Sequence, residues 1–161
     1  MKNKTVIVVI VTLVLLGGGY LAWNSLTAGA EGGAVASDSG KQKVTMYKSP
    51  TCGCCGQHAA YLERRGFDVD IVKESNMSSI KDKYQIPHSA ESCHTTVIGD
   101  YIVEGHVPIE AIDKLLAERP DVDGIGLADM PSGSPGMPGA KTELFDVYAL
   151  KDGQTSDFIS L

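Results

Sequence analysis

Apolar and polar residues alternate through Val44-Thr45-Met46-Tyr47 and give way to Ser49-Pro50-Thr51, a period of two that predicts a strand. The spacing then becomes helical. Ala59, Ala60 and Leu62 share a side of residues 56–65, Arg64 and Arg65 suit the last turn, and Gly66 suits the stop. Residues 67–72 alternate again as a second strand. Ser75 or Asn76 can cap a short helix through Tyr84, which must end before Pro87 because proline disfavours helical geometry in its predecessor. Residues 95–98 and 101–103 flank Gly99-Asp100 as a hairpin. Pro108 then opens a helix that carries Ile109, Ile112, Leu115 and Leu116 on one face and ends at Arg119-Pro120.

The resulting order, β-α-β-α-β-β-α, is thioredoxin-like and predicts an α/β domain of that kind. Residues 144–150 and 155–161, joined around Asp152-Gly153, add a C-terminal β-hairpin extension. Residues 121–143 are rich in Gly and Pro and too long for an inert connection, so they read as a loop, either a surface loop or a thioether-bearing flap carrying Met130 and Met137. Met46 and Met77, at strand and helix positions, read as core packing.

The amino terminus has a different pattern. Lys2 and Lys4 precede an uncharged stretch, residues 5–26, long enough to span a bilayer core of about 30 Å, and Ala28-Gly29-Ala30 offers a small-residue cleavage site. Residues 1–28 are therefore a signal peptide or an N-terminal membrane anchor, with the anchor slightly preferred. Residues 29–40, mainly Gly, Ala and Ser, are a flexible linker, and the folded domain is expected over residues 41–161. Basic residues before the apolar stretch and acidic ones after it orient the domain outwards, which for a bacterial chain means the periplasm, either free after cleavage or tethered to the inner membrane. Fourteen basic against twenty acidic side chains give a net charge of −6. With no basic run in the exported part, nucleic acid is excluded as a partner.

The candidate chemistry lies in four cysteines, three of them in Cys52-Gly53-Cys54-Cys55 and the fourth in Cys93-His94. Adjacent Cys54 and Cys55 cannot bridge each other without severe strain, and no second set of cysteines exists to staple distant loops. Cys52 and Cys55 form a C-x-x-C pair after a strand and at a helix start, where free amides and the helix dipole favour thiolates. That arrangement suits a thiol-disulfide oxidoreductase. A third thiol inside the motif suits a metal better. In thioredoxin-like proteins a cis-proline usually precedes the third strand beside the C-x-x-C pair; here Cys93-His94 takes that place, bringing four sulfurs and a nitrogen together.

Soft thiolates with imidazole and thioether select copper over the iron-sulfur or zinc centres that four cysteines also allow. His106, between the hairpin and the last helix, falls at the expected edge of the site. His58 follows Cys54 by four residues and Cys55 by three, so a helix places it on their side as an additional candidate metal ligand; a solvent-facing histidine is nonetheless the simpler expectation. His88, in a loop beside Pro87, reads as a surface residue. In an oxidising compartment Cys52 and Cys55 can rest as a disulfide until Cu(I) or a reductant arrives.

The segments Ser49-Pro50-Thr51-Cys52-Gly53-Cys54-Cys55-Gly56, Ser92-Cys93-His94-Thr95 and Val103-Glu104-Gly105-His106-Val107-Pro108, with Met130-Pro131 and Ser134-Pro135-Gly136-Met137, resemble the CopG-type copper-resistance family, often grouped as a domain of unknown function. The resemblance runs from about Val44 to the carboxy terminus. It implies a periplasmic thioredoxin-like protein that binds several copper ions, as Cu(I) and also Cu(II), through Cys52, Cys54, Cys55, Cys93, His94 and His106, with a role in copper redox handling or detoxification. Met130 and Met137 match that family's methionine-containing loop, as ligands or as a cover, and copper exporters or chaperones are the implied partners.

Overall fold

The computed structural model describes residues 40–161, so the signal or anchor segment and all but the last residue of the linker lie outside the described residues. The elements run β1 (Gln42–Lys48), α1 (Gly53–Arg64), β2 (Phe67–Lys73), α2 (Met77–Lys83), a 3-10 turn at His88–Ala90, β3 (His94–Ile98), β4 (Tyr101–Gly105), α3 (Ile109–Glu118), β5 (Gly124–Leu127), β6 (Asp146–Lys151) and β7 (Gln154–Ser160). Seven strands form one mixed sheet in the order β2-β1-β3-β4-β5-β6-β7. β1 is parallel to β2 and antiparallel to β3, and β3 and β4 form the predicted hairpin. Through α3 the order is the predicted β-α-β-α-β-β-α. Among the described residues no helix is long and apolar enough to cross a membrane.

The alternation of side chains divides the core between the two faces of the sheet. Val44 and Met46 of β1, Val103 of β4 and Ile125 of β5 join Ala59 and Leu62 of α1 and Ile109, Ile112 and Leu115 of α3 in the larger cluster. Ile102 of β4 and Leu150 of β6 join Ile86 and Ala90 on the opposite face. Burying each such aliphatic side chain contributes about 1.5–3 kcal/mol, enough for the sheet to dictate where its loops emerge. Met46 is fully buried, as core packing requires, and Met77 is half-buried.

Residues 121–143 are not one loop. They contain β5, which pairs parallel to β4 and antiparallel to β6, so the C-terminal hairpin continues the sheet. The glycines that give this segment its loop-like composition serve close packing: a Cβ on Gly124 would collide with the Ile102 backbone, and one on Gly126 with the Tyr148 ring. The first helix also starts earlier than its apolar spacing indicates, at Gly53, because the cap is Cys52 itself.

Candidate metal centre

Cys52 ends the turn after β1 in extended geometry, and its Sγ accepts the Cys55 N–H at 3.3 Å. The cysteine cluster is therefore the first turn of α1, with the free Cys55 amide directed at the Cys52 sulfur. Cys52 and Cys55 are joined as a disulfide with their Cα atoms 5.5 Å apart, while Cys54 and Cys93 are free. Cys93 arrives at the head of β3. Its Sγ lies 3.5 Å from Cys55 Sγ, and Cys54 Sγ lies 3.6 Å from Cys52 Sγ. All four sulfurs fall within 4.8 Å of one another, so reduction of the disulfide frees two thiols beside the two already free, four in all gathered around one point.

A second donor group shares Cys93. His94 Nδ1 is 3.3 Å and His106 Nε2 is 3.2 Å from Cys93 Sγ, and these three atoms also lie within 4.8 Å of one another. The sequence-predicted Cys52, Cys54, Cys55, Cys93, His94 and His106 thus converge as two groups hinged on one sulfur.

His58 is not the solvent-facing histidine of the simpler expectation; it lies on the cysteine side, as its helical offset indicates. It is fully buried with His94 and His106, and its Nδ1 sits 2.8 Å from His94 Nε2 while its Nε2 sits 3.2 Å from the Val107 carbonyl oxygen. The three rings have centroids 4.9–5.1 Å apart, and Tyr61 stacks on His58 at 5.8 Å. Residues after β5 close this corner. Pro135 O accepts from His106 Nδ1 at 2.7 Å, and Gly136, at φ +85°, passes so near α1 that a Cβ would come within 2.7 Å of the His58 backbone nitrogen. Met130 and Met137 are half-buried in the same loop, whose Pro135 carbonyl meets His106. His88 is the surface residue expected, paired with Glu91 at 2.6 Å.

Burial keeps these nitrogens uncharged and available as donors. It lowers the His58 pKa to about 4, with His106 adding to the effect, and holds His94 well below the usual imidazole range, with His58 and His106 adding to it; His106 is lowered too. Burial also pushes the Cys93 thiol up to about 12, with Cys54 contributing, so a bare thiolate is disfavoured there until a cation compensates it. A metal ion held there would supply that compensation.

On the other face of β3 and β4 lies a polar cluster that the sequence did not reveal. Lys81 Nζ donates to Glu104 Oε1 at 2.5 Å and to Thr95 Oγ1 at 2.9 Å, and Thr95 Oγ1 donates to Glu104 Oε2 at 2.7 Å. Glu104 Oε1 also accepts the Ser92 N–H at 2.5 Å, which ties the residue before Cys93 to β4. Gly105, at φ +76°, lets the chain turn from Glu104 to His106; a Cβ there would meet Ser92 Oγ at 2.5 Å.

The family described as "Protein of unknown function, DUF411" matches residues 90–137, which span Cys93, His94, His106 and the methionine loop. A search of curated proteins gives no match. Two solved structures, described as forms 1 and 2 of the copper resistance protein CopG, are each 38% identical in sequence with a TM-score of 0.69, covering 75% of this chain and 98% of theirs. With that identity over nearly the whole of the solved chains, and a shared fold, the protein belongs to the CopG copper-resistance family.

Proposed function

We propose that the protein is a periplasmic copper-binding protein of copper resistance that holds more than one Cu(I) on bridging thiolates. Cys52, Cys54, Cys55 and Cys93 supply the sulfurs, and His94 and His106 extend the centre from Cys93. The observation that carries this reading is the position of Cys93, whose one sulfur stands within ligand reach of both donor groups. Soft thiolates select Cu(I), and imidazole accepts copper in both oxidation states, so the mixed donor set also suits Cu(I)/Cu(II) redox conversion. The relatives' description as copper resistance proteins agrees with this assignment. The N-terminal apolar segment of the sequence supports a location outside the inner membrane, soluble after cleavage or tethered, where copper exporters or chaperones are the expected partners. Met130 and Met137, half-buried in the loop that carries Pro135, are assigned to the centre as a cover or as reserve thioether donors.

Anaerobic titration of the fully reduced chain with Cu(I), against a competing chelator, tests the reading. Two or more tightly held copper ions per chain, with fewer in C54S, are expected; a single weakly held ion or none would overturn it. A second reading, thiol-disulfide exchange, is favoured by the Cys52–Cys55 disulfide at the head of α1 with Cys93 Sγ 3.5 Å from Cys55 Sγ. It requires the reduced, metal-free protein to reduce insulin, and failure to do so removes it.

A further inference from the structure

His58 stands in neither donor group, yet it is buried as completely as the two histidines that do. Its two nitrogens have one partner each. Val107 O has no proton to give, so its contact with His58 Nε2 at 3.2 Å is a hydrogen bond only if His58 carries its proton on Nε2. A neutral ring then leaves a lone pair on Nδ1. That lone pair faces His94 Nε2 at 2.8 Å, and the contact is satisfied only by a proton on His94 Nε2. His94 Nδ1 is left bare towards Cys93 Sγ.

The other wall repeats the logic with one step fewer. Pro135 O accepts from His106 Nδ1 at 2.7 Å, which leaves His106 Nε2 bare towards the same sulfur. Two backbone carbonyls therefore decide the protonation of three rings. Among the described residues no carboxylate touches any of the three, so nothing stabilises the doubly protonated form that would reverse the chain. Tyr61 stacked against His58 at an interplanar angle of 16° keeps the relaying ring in its plane.

We infer that His58 is a positioning residue that locks His94 into its Nε2-protonated tautomer and so presents Nδ1, opposite Nε2 of His106, as the ligand nitrogen beside Cys93. The ligand role of that nitrogen rests on the proposed copper function; the tautomer does not. A hydrogen-bond partner on the far nitrogen of a metal-binding histidine fixes both its orientation and its basicity, and losing one typically lowers metal affinity about 10–100-fold.

Long-range proton–nitrogen correlation NMR on the reduced, metal-free, full-length chain reads each tautomer directly. Protons on Nε2 of His58 and His94 and on Nδ1 of His106 are expected. A His94 proton on Nδ1, or a ring averaging between the two forms, would overturn the inference. In H58F, which removes the acceptor, His94 is expected to average between tautomers and copper affinity to fall about 10–100-fold. In H58N, whose amide oxygen stands where Nδ1 stood, both return towards wild type. Unchanged affinity and an unchanged His94 tautomer in H58F would contradict the assignment; should H58F not fold, the wild-type spectrum still decides. Expected tautomers in a wild-type chain that binds no copper would remove the copper reading and leave the relay standing.

Discussion

Two buried polar clusters occupy opposite faces of the same strand pair, built from neighbouring residues, and they end differently. On one face Thr95, Glu104 and Lys81 close on themselves: both carboxylate oxygens accept, and the one cation is paired within the cluster. On the other, His94 and His106 spend one nitrogen each on holding their rings and keep the second facing Cys93. A self-satisfied buried network specifies and rigidifies structure, whereas one that leaves several soft donors aimed at a common point has capacity for a ligand. The two are joined by one backbone bond, since the carboxylate that closes the first cluster grips Ser92, the residue before the shared thiol.

The contrast breaks most completely at Cys93. C93S removes the atom common to both donor groups, so tight copper binding should be lost almost entirely while the chain still folds, as elemental analysis after Cu(I) loading and gel filtration would record. Retention of the full copper complement would make the two groups independent. The closed cluster should respond in the opposite way. E104L leaves Lys81 buried without its partner and should cost about 3–5 kcal/mol in urea unfolding, as expected for breaking a buried pair, whereas a K81M/E104L double variant should recover much of that loss. Loss of copper sites without loss of stability in E104L would refute the division of labour.

pH sharpens the comparison further. His58 titrates at 6.5 in the unfolded chain and at about 4 when folded, so the unfolded state takes up its proton first as the pH falls. The associated stability is fully present above pH 6.5 and is lost progressively towards pH 4, on the order of 3 kcal/mol for this group at 1.36 kcal/mol per pH unit. The buried Glu104, whose pKa is raised by burial, acts in the opposite sense, so the readout is the difference between wild type and H58N in chemical unfolding between pH 7 and pH 4. A difference that does not change with pH would contradict it. The smallest effect is expected at the loop. M130L and M137L should each weaken Cu(I) binding less than tenfold, about 1.4 kcal/mol or below, in chelator competition. A larger loss would make the thioethers ligands.

The strand and helix order and the convergence of four cysteines with His94 and His106 were legible because their signals are local: period two in β1, capping and spacing in α1, and a short motif at the head of β3. β5 was not legible. Its glycines are explained by Ile102 and Tyr148, residues distant in sequence that occupy the space their side chains would take. His58 shows the same limit. Its offset from Cys54 and Cys55 placed it on their side of α1, but its burial depends on Pro135 and Gly136 folding over that side. Lys81 occupies a helix position that reads as surface until Thr95 of β3 and Glu104 of β4 are brought against it.

Copper K-edge X-ray absorption of the Cu(I)-loaded, full-length protein tests most directly whether Cys93 joins sulfur and imidazole donors into one centre. A mixed first shell of sulfur and nitrogen is predicted, with the nitrogen contribution lost in an H94F/H106F double variant and the sulfur contribution kept. A shell of sulfur alone, unchanged by that double replacement, would contradict the account.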